Sequence, residues 1–517
     1  MEFLRKNRTR LITLAALAFL FVTALQGMEP EDWAITVLRG LSVGAITFLV
    51  AAGLSLILGL MDVLNLAHGE LFMVGAYVGW TVYVRPDTFV DALPPLLLLA
   101  AGLALMPLWR AWLSRLSLSP RVTRVWPWVG LAAALGVLAL TLARFPLAIW
   151  NPDVFAESPG AFALALDQGT LQMPAGATFT AISPAAGILG VLLGGALLGA
   201  AIVGLGLRRG GGAATAVLPR GPLVWAGGLA AAGVAFYAGN DPLTTALFTM
   251  NSTVRFFLSM AVATGAGFVL GGLIESTLIR PLYDRPIYQI MLTLGLSFIG
   301  VELVRAIWGR PEFTMPKAAL FSGTGDGCPA VSLSDLLAHQ CSTILLFDGR
   351  IRTYNEVFII LVGLIVLAAV WLLLQRTRLG MIIRAGVQDG EMVEALGINV
   401  RRVFTLVFAL GVGLAALGGV LAAPSIGLSN DMGTRLLLLA LIALAIGGLT
   451  SFPGAAAGAL LVGLMQQFII KYGQIGINLP FLAEPFKPSP PLVPASTVLL
   501  MVIILLILPN GLFGRNE

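Results

Sequence analysis

Apolar residues fall along this chain in long blocks, separated by short polar or charged breaks. A membrane-spanning helix needs about 20 predominantly apolar residues, whereas a half-buried strand would show strict alternation. Bounded by charge or proline, the blocks are Leu11–Gln26, Ile35–Leu60, Leu71–Val84, Leu96–Trp112, Trp126–Trp150, Ile188–Leu207, Leu223–Ala238, Phe256–Leu278, Ile290–Trp308, Val357–Leu374, Val403–Ala423, Leu436–Leu449, Ala455–Ile470 and Val498–Leu508. They predict an all-α, polytopic transmembrane helical bundle with about fourteen crossings. The first block follows MEFLRKNRTR, a start that would also suit a signal peptide. With no convincing small-residue cleavage site after it, the block reads as an uncleaved first span.

Two breaks carry most of the information. The first is MDVLNLAHGE, between the second and third blocks, where Asp62, Asn65, His68 and Glu70 fall at membrane depth or its edge. Polar groups there are expensive and usually face a cavity, a pathway or the bundle interior. Gly69, Gly75 and Gly79 follow and permit close helix approach. Asn65, His68 and Glu70 are therefore candidates for a pathway or gate; the alternative is a simple turn with a histidine packed at a helix start. The second break is RTRLGMIIRAGVQDGEMVEALGINVRR, residues 376–402. Arginines at both its ends place it on the cytoplasmic side. Met381, Ile382, Val387, Met392, Val393 and Leu396 recur at roughly helical spacing until Gly397 stops the pattern. A short amphipathic helix between two spans suits docking of a soluble partner, or else is a solvated connector.

The remaining stretches set the domain layout: residues 1–85, an Ala-, Gly- and Leu-rich block of about four spans at 86–250, and residues 251–517. The middle block has few polar residues inside its spans and reads as packing material. A long external loop, Gly309–Glu356, holds both cysteines, Cys328 and Cys341. Two cysteines in one non-cytoplasmic loop read as a disulfide, with two unpaired thiols as the alternative.

Composition and charge narrow the function. The chain has 517 residues, 58% hydrophobic and only 11% charged, more apolar surface than a soluble core can absorb. Its net charge of +5 comes from span ends rather than one patch, so it argues for topology and against nucleic acid. Most Lys and Arg fall on the side of residues 376–402, which places both termini in the cytoplasm. With two histidines in the whole chain and no H-E-x-x-H, a metal site lacks ligands. None of the four lysines, Lys6, Lys317, Lys471 and Lys487, precedes Ser or Thr, so the phosphate-binding Walker pattern is absent. No nucleophile elbow appears either, so an enzyme is not expected. Glu302 and Arg305 are spaced to pair on one helical face, while Arg39 and Glu275 look isolated. No chain of intramembrane carboxylates of the kind used by proton-coupled carriers emerges.

These segments resemble a known family. GLSVGAITFLVAAGLSLILGLMDVLNLAHGELFMVGAY is similar to the N-terminal core of branched-chain amino acid ABC transporter permeases. IRPLYDRPIYQIMLTLGLSFIGVELVRAIWG, the 376–402 loop with its following helix, and GGLTSFPGAAAGALLVGLMQQF resemble later segments of the same family, in order. The likeness spans about Ile35–Tyr83 and Val254–Leu512, and leaves 86–250 without a counterpart. It implies a permease subunit of an ATP-driven importer in a bacterial inner membrane, taking up branched-chain or other hydrophobic amino acids. Its partners would be ABC ATPase subunits, a second permease subunit (the same or another chain) and an extracytoplasmic substrate-binding protein. The chain would bind no cofactor, ATP being hydrolysed by the partner. The 376–402 segment would be the ATPase-coupling helix, with Arg384, Gln388, Asp389, Glu391 and Gly397 at its characteristic positions. Gly386 and the Met392–Val393 pair depart from the small aliphatic residues usual there. Related permeases carry urea and short amides, which is one alternative; a stand-alone secondary carrier or channel is another.

Overall fold

A computed structural model describes residues 28–115, 119–147, 181–207, 221–283, 285–309, 312, 314–346, 349–388, 390–477 and 484–514. The expected first span, Leu11–Gln26, and Asp389 lie outside these residues. In chain order the helices are α1 (Pro30–Met61), α2 (His68–Val84), α3 (Pro86–Leu103), α4 (Met106–Leu113), α5 (Pro120–Leu142), α6 (Pro184–Leu207), α7 (Gly221–Ala238), α8 (Asn240–Thr249), α9 (Ser252–Ile274) and α10 (Pro286–Trp308). They continue as α11 (Leu333–His339), α12 (Ile359–Arg376), α13 (Arg378–Gln388), α14 (Gly390–Ala395), α15 (Val400–Ile426), α16 (Met432–Gly447), α17 (Phe452–Ile475) and α18 (Leu492–Ile507). One hairpin, β1 (Thr343–Leu346) and β2 (Gly349–Arg352), is antiparallel, with Thr343 opposite Arg352 and Leu346 opposite Gly349.

The all-α, polytopic architecture follows the apolar blocks. Among the described residues, ten helices rather than about fourteen are long and apolar enough to cross a bilayer unaided. Part of the difference lies in α2, α16 and α18, which have only 17, 16 and 16 residues. The fourth block also starts elsewhere than expected: α3 begins at Pro86, not near Leu96, and keeps Pro94 and Pro95 inside the helix.

The described residues divide into two compact units, 28–84 with 251–514, and 85–147 with 181–250. In the second unit α6 packs between α3 and α5. A Cβ on Gly195 would sit 2.8 Å from the Leu99 carbonyl oxygen, so this seam needs glycine. Leu98, Leu138, Phe145 and Val191 form its buried apolar cluster. Asp91 is also buried there and accepts a 2.8 Å hydrogen bond from Asn240.

The first unit is built round α1 and α15, which pack against α2, α9, α16 and α17. Lipid gives no hydrophobic drive for helices to associate, so close van der Waals approach must supply it. Backbone-to-backbone seams provide that approach. A Cβ on Gly419 would lie 2.0 Å from the Phe72 carbonyl oxygen, and one on Gly463 would lie 2.3 Å from that of Gly40. By contrast α10 and α12 have outward faces of exposed Met291, Phe298, Ile299, Leu361 and Ile365, as lipid-facing helices require.

Candidate functional site

The break after α1 is a re-entrant turn inside the bundle, not a connection at its edge. Asp62 ends α1 in the left-handed conformation (φ 53°), and residues 62–67 lead back inward before α2 starts. A Cβ on Gly53 would meet the Gly411 carbonyl oxygen at 2.3 Å and His68 Nε2 at 2.9 Å, which puts all three at one level. Gly411 lies close to the middle of α15, so His68 sits near mid-depth. Non-helical backbone at such depth is tolerated where it is buried in protein or lines a cavity. Asn65 organises the turn: its Oδ1 accepts from the Ala67 N–H (3.2 Å), and its carbonyl accepts from the His68 N–H.

The three polar residues of this turn are all buried, yet they do not converge. His68 points into the α1–α15 seam, with the Val50 carbonyl as a polar neighbour and no well-formed hydrogen bond to either ring nitrogen. Glu70, two residues on and therefore on the other side of α2, points toward α10 and α16. A Cβ on Gly300 of α10 would meet its Cβ at 3.2 Å, and Thr434 Oγ1 of α16 donates to its Oε1 at 3.2 Å. Among the described residues, Glu70 Oε2 and Asn65 Nδ2 have no hydrogen-bond partner.

On the Glu70 side the structure adds residues that the apolar blocks hid. Gly69 and Gly433 cross backbone to backbone, a Cβ on either being within 2.5 Å of the other's carbonyl oxygen. The N-termini of two short helices, α2 and α16, thus meet inside the bundle. Asp431, which precedes α16, pairs with Arg435 on its first turn. The span expected from Leu436 leaves both in a loop. The Gly69–Gly433 crossing, a long-range contact, is what places them beside the start of α2.

The 376–402 segment is helical over Arg378–Gln388 (α13) and Gly390–Ala395 (α14), on either side of residue 389, which lies outside the described residues. The turn into α13 requires Gly380, where a Cβ would sit 2.3 Å from the Leu373 and Leu374 carbonyl oxygens. Arg384 reaches back to that same corner, donating to the Leu374 carbonyl and to Gln375 Oε1 (3.2 Å). It thereby satisfies a carbonyl left over at the end of α12. The anchor is Ile383, which is buried with Leu56 of α1 and Val407 of α15; it is absent from the helical-spacing set. Val393 is buried too, whereas Met381, Met392 and Leu396 are exposed, at 61%, 60% and 73%. Gly397 takes φ 82° and ends α14, its N–H bonded to the Glu394 carbonyl. Gln388 closes α13 and Glu391 lies in α14. Their side chains, like Asp389, fall outside the described set.

At the other end of α12 the loop before it is folded and tied down. Cys328 and Cys341 are joined by a disulfide with Cα atoms 5.5 Å apart. Helix α11 starts with a capping box between Ser332 and Asp335. Trp80 and Tyr83 of α2 donate to the Thr314 and Lys317 carbonyls, both at 3.3 Å. Tyr354 OH is buried and donates to the Leu421 carbonyl at 2.8 Å. Burial, with Arg352 nearby, holds the Lys317 ammonium below the usual lysine range.

Two residues that look isolated in sequence have partners. Arg39 pairs with Glu356, 317 positions away, at 3.4 Å. Glu275 is fully buried and bonded to Arg280 (2.8 Å) and to Tyr283 OH (2.5 Å), while Arg280 also donates to Thr405. A π-turn over Glu275–Ile279 brings residues five apart onto one face, a spacing that an α-helical count passes over. Glu302 and Arg305 do pair, at 2.6 Å.

Among the described residues no group of three or more His, Cys, Asp or Glu side chains is placed to hold a metal. A helical membrane bundle with re-entrant polar turns at mid-depth has the makings of a transport protein rather than a receptor anchor. Comparison with known proteins makes the class specific. The family model for the branched-chain amino acid transport system permease component matches residues 36–158 and 220–508, more than half of the chain, and the protein belongs to that family. It is 26% identical over 279 residues to the high-affinity branched-chain amino acid transport system permease protein LivH of Salmonella typhimurium, covering 49% of this chain and 85% of that one. It is 30% identical over 171 residues to BraD of Pseudomonas aeruginosa (33% and 51%), a permease of the same description. It is also 26% identical over 244 residues to the fructose import permease protein FruF of Bifidobacterium longum (46% and 60%). No solved structure matches. The chain is thus a multi-pass membrane transport subunit of ABC-permease type.

Proposed function

We propose that this permease imports branched-chain or similarly hydrophobic amino acids across a bacterial inner membrane, driven by separate ATPase subunits. The observation that carries the reading is the family match, which spans both the re-entrant turn and the 376–402 segment. In this reading the segment is cytoplasmic and receives the ATPase, through exposed Met381, Met392 and Leu396 together with Arg384, Gln388, Asp389, Glu391 and Gly397. Arg384 contributes by holding α13 in place. The disulfide-bonded loop then lies outside and faces a substrate-binding protein, and both termini are cytoplasmic. A second permease subunit completes the pore. Within the 86–250 block, residues 159–219 are the stretch that the family match leaves out, and we read that stretch as an addition to the common core.

The test is reconstitution in vesicles with the ATPase and the binding protein, following labelled leucine with and without internal ATP. Leucine uptake that requires both ATP and the binding protein is the expected result. ATP-dependent uptake of urea or a sugar in its place would discard the cargo and keep the coupling. Uptake indifferent to ATP, driven by an ion gradient, would overturn the reading. Glu391→Arg should weaken co-purification of the ATPase, and retention at full strength would remove the role given to 376–402.

A further inference from the structure

The ion pair between Asp431 and Arg435 is out of place for a helix in lipid. Both side chains are open, 52% and 69% exposed, yet the adjoining Gly433 crosses Gly69 beside the mid-depth His68. Charges at that depth cannot face hydrocarbon without a penalty of several kcal/mol, so they face water or protein. Behind them sits Glu70, only 3% exposed, held at one oxygen by Thr434 and, among the described residues, unpartnered at the other. The N-termini of α2 and α16 both meet here and favour negative charge. One turn beyond Arg435, on the same face of α16, Leu438 is 56% exposed.

We propose that this face of α16 lines the translocation path and briefly holds a zwitterionic amino acid. Arg435 receives its carboxylate, Asp431 its ammonium group, and Leu438 borders its apolar side chain. Glu70, fixed through Thr434, positions the start of α16 and supplies negative potential behind the ammonium site. The chemistry selects this class: sugars and urea carry neither charge, and an opposed pair beside an apolar surface matches all three parts of leucine. The inference rests on the amino-acid reading above.

Both native cysteines are consumed in the disulfide, so an introduced cysteine is the chain's single free thiol. Leu438→Cys, in vesicles carrying the whole assembly, should react with a charged, water-soluble methanethiosulfonate far faster than Ile365→Cys on the lipid-facing side of α12. Leucine should slow that reaction several-fold, whereas 4-methylpentanoate, lacking the amine, and isopentylamine, lacking the carboxylate, should not. Labelling as slow as at position 365 would mean that lipid or a protein partner covers the face, and would overturn the proposal. Fast labelling without protection by leucine would leave a wetted wall with no binding role, which also overturns it. As a second variant, Arg435→Gln should raise the KM for leucine by about ten-fold, and Arg435→Lys should recover part of it. An unchanged KM in Arg435→Gln contradicts the carboxylate assignment. If the unmodified assembly imports no amino acid, the functional reading fails and takes this inference with it; normal leucine uptake with either negative result above sinks this inference alone.

Discussion

The two ends of helix α12 are built differently. On one side, residues 314–358 are cross-linked by a disulfide, capped, paired into a hairpin and hydrogen-bonded to α2 and α15. On the other, α13 and α14 rest on the bundle through Ile383, Val393 and the reach of Arg384. Local stability in a fold tracks buried apolar contact and protected hydrogen bonds. The first end is therefore a fixed surface, and the second a light attachment with three apolar side chains still open. In the function proposed above, the lightly attached end is the one that meets the ATPase.

Substitutions can break or sharpen this contrast. The largest effect belongs to the fixed end. Replacing Cys328 and Cys341 with serine opens a loop of 13-residue separation and should cost about 3 kcal/mol of local stability in the chain-entropy model. Limited proteolysis should then cut between residues 320 and 345 under conditions that spare the native chain; equal resistance would mean that hydrogen bonds alone hold the loop. Next comes Ile383→Ala, which removes the anchor of α13 and should loosen it by about 2–3 kcal/mol. Hydrogen exchange over 378–395 should rise while the melting of the whole bundle moves little, and an equal loss of protection in the segment and of bundle stability would show that the segment is part of the core. Gly386→Ala should act in the opposite direction. An added methyl would meet only Val400, at 3.8 Å, so helix propensity alone should tighten α13 by about 0.5–1 kcal/mol. Slower exchange in α13 would confirm it, and faster exchange would point to a conformation that glycine alone permits. The smallest stability change is expected for Leu396→Ser, within about 0.5 kcal/mol because the residue is exposed. Its effect should appear instead as weaker binding of the ATPase on a column; undiminished binding would remove Leu396 from the docking surface.

The sequence made much of this bundle readable, because apolar block length is a strong constraint in lipid. The re-entrant turn was visible as a polar run between two blocks, and so was the Glu302–Arg305 pair at its helical spacing. What stayed hidden depended on tertiary contact or on unusual local geometry. Arg39 finds its partner 317 positions away. Glu275 reaches Arg280 through a π-turn whose spacing is not that of an α-helix. Ile383 is absent from the apolar set read in 376–402 because its burial is set by Leu56 and Val407, on two other helices. Asp431 and Arg435 sit where a hydropathy boundary falls, and such a boundary reports composition rather than depth.

The length of α1 has a mechanical consequence. Its 32 residues reach about 48 Å without a break, at 1.5 Å per residue. Near its first turn Glu31 touches Gly349 of the hairpin, and near its last Leu56 touches the Ile383 anchor. One uninterrupted rod therefore joins the fixed surface to the light attachment. A tilt of about 5° around its centre would swing both ends by roughly 2 Å in opposite directions. News of what happens at one face of the membrane can then reach the other by leverage alone, with no relay of side chains between them.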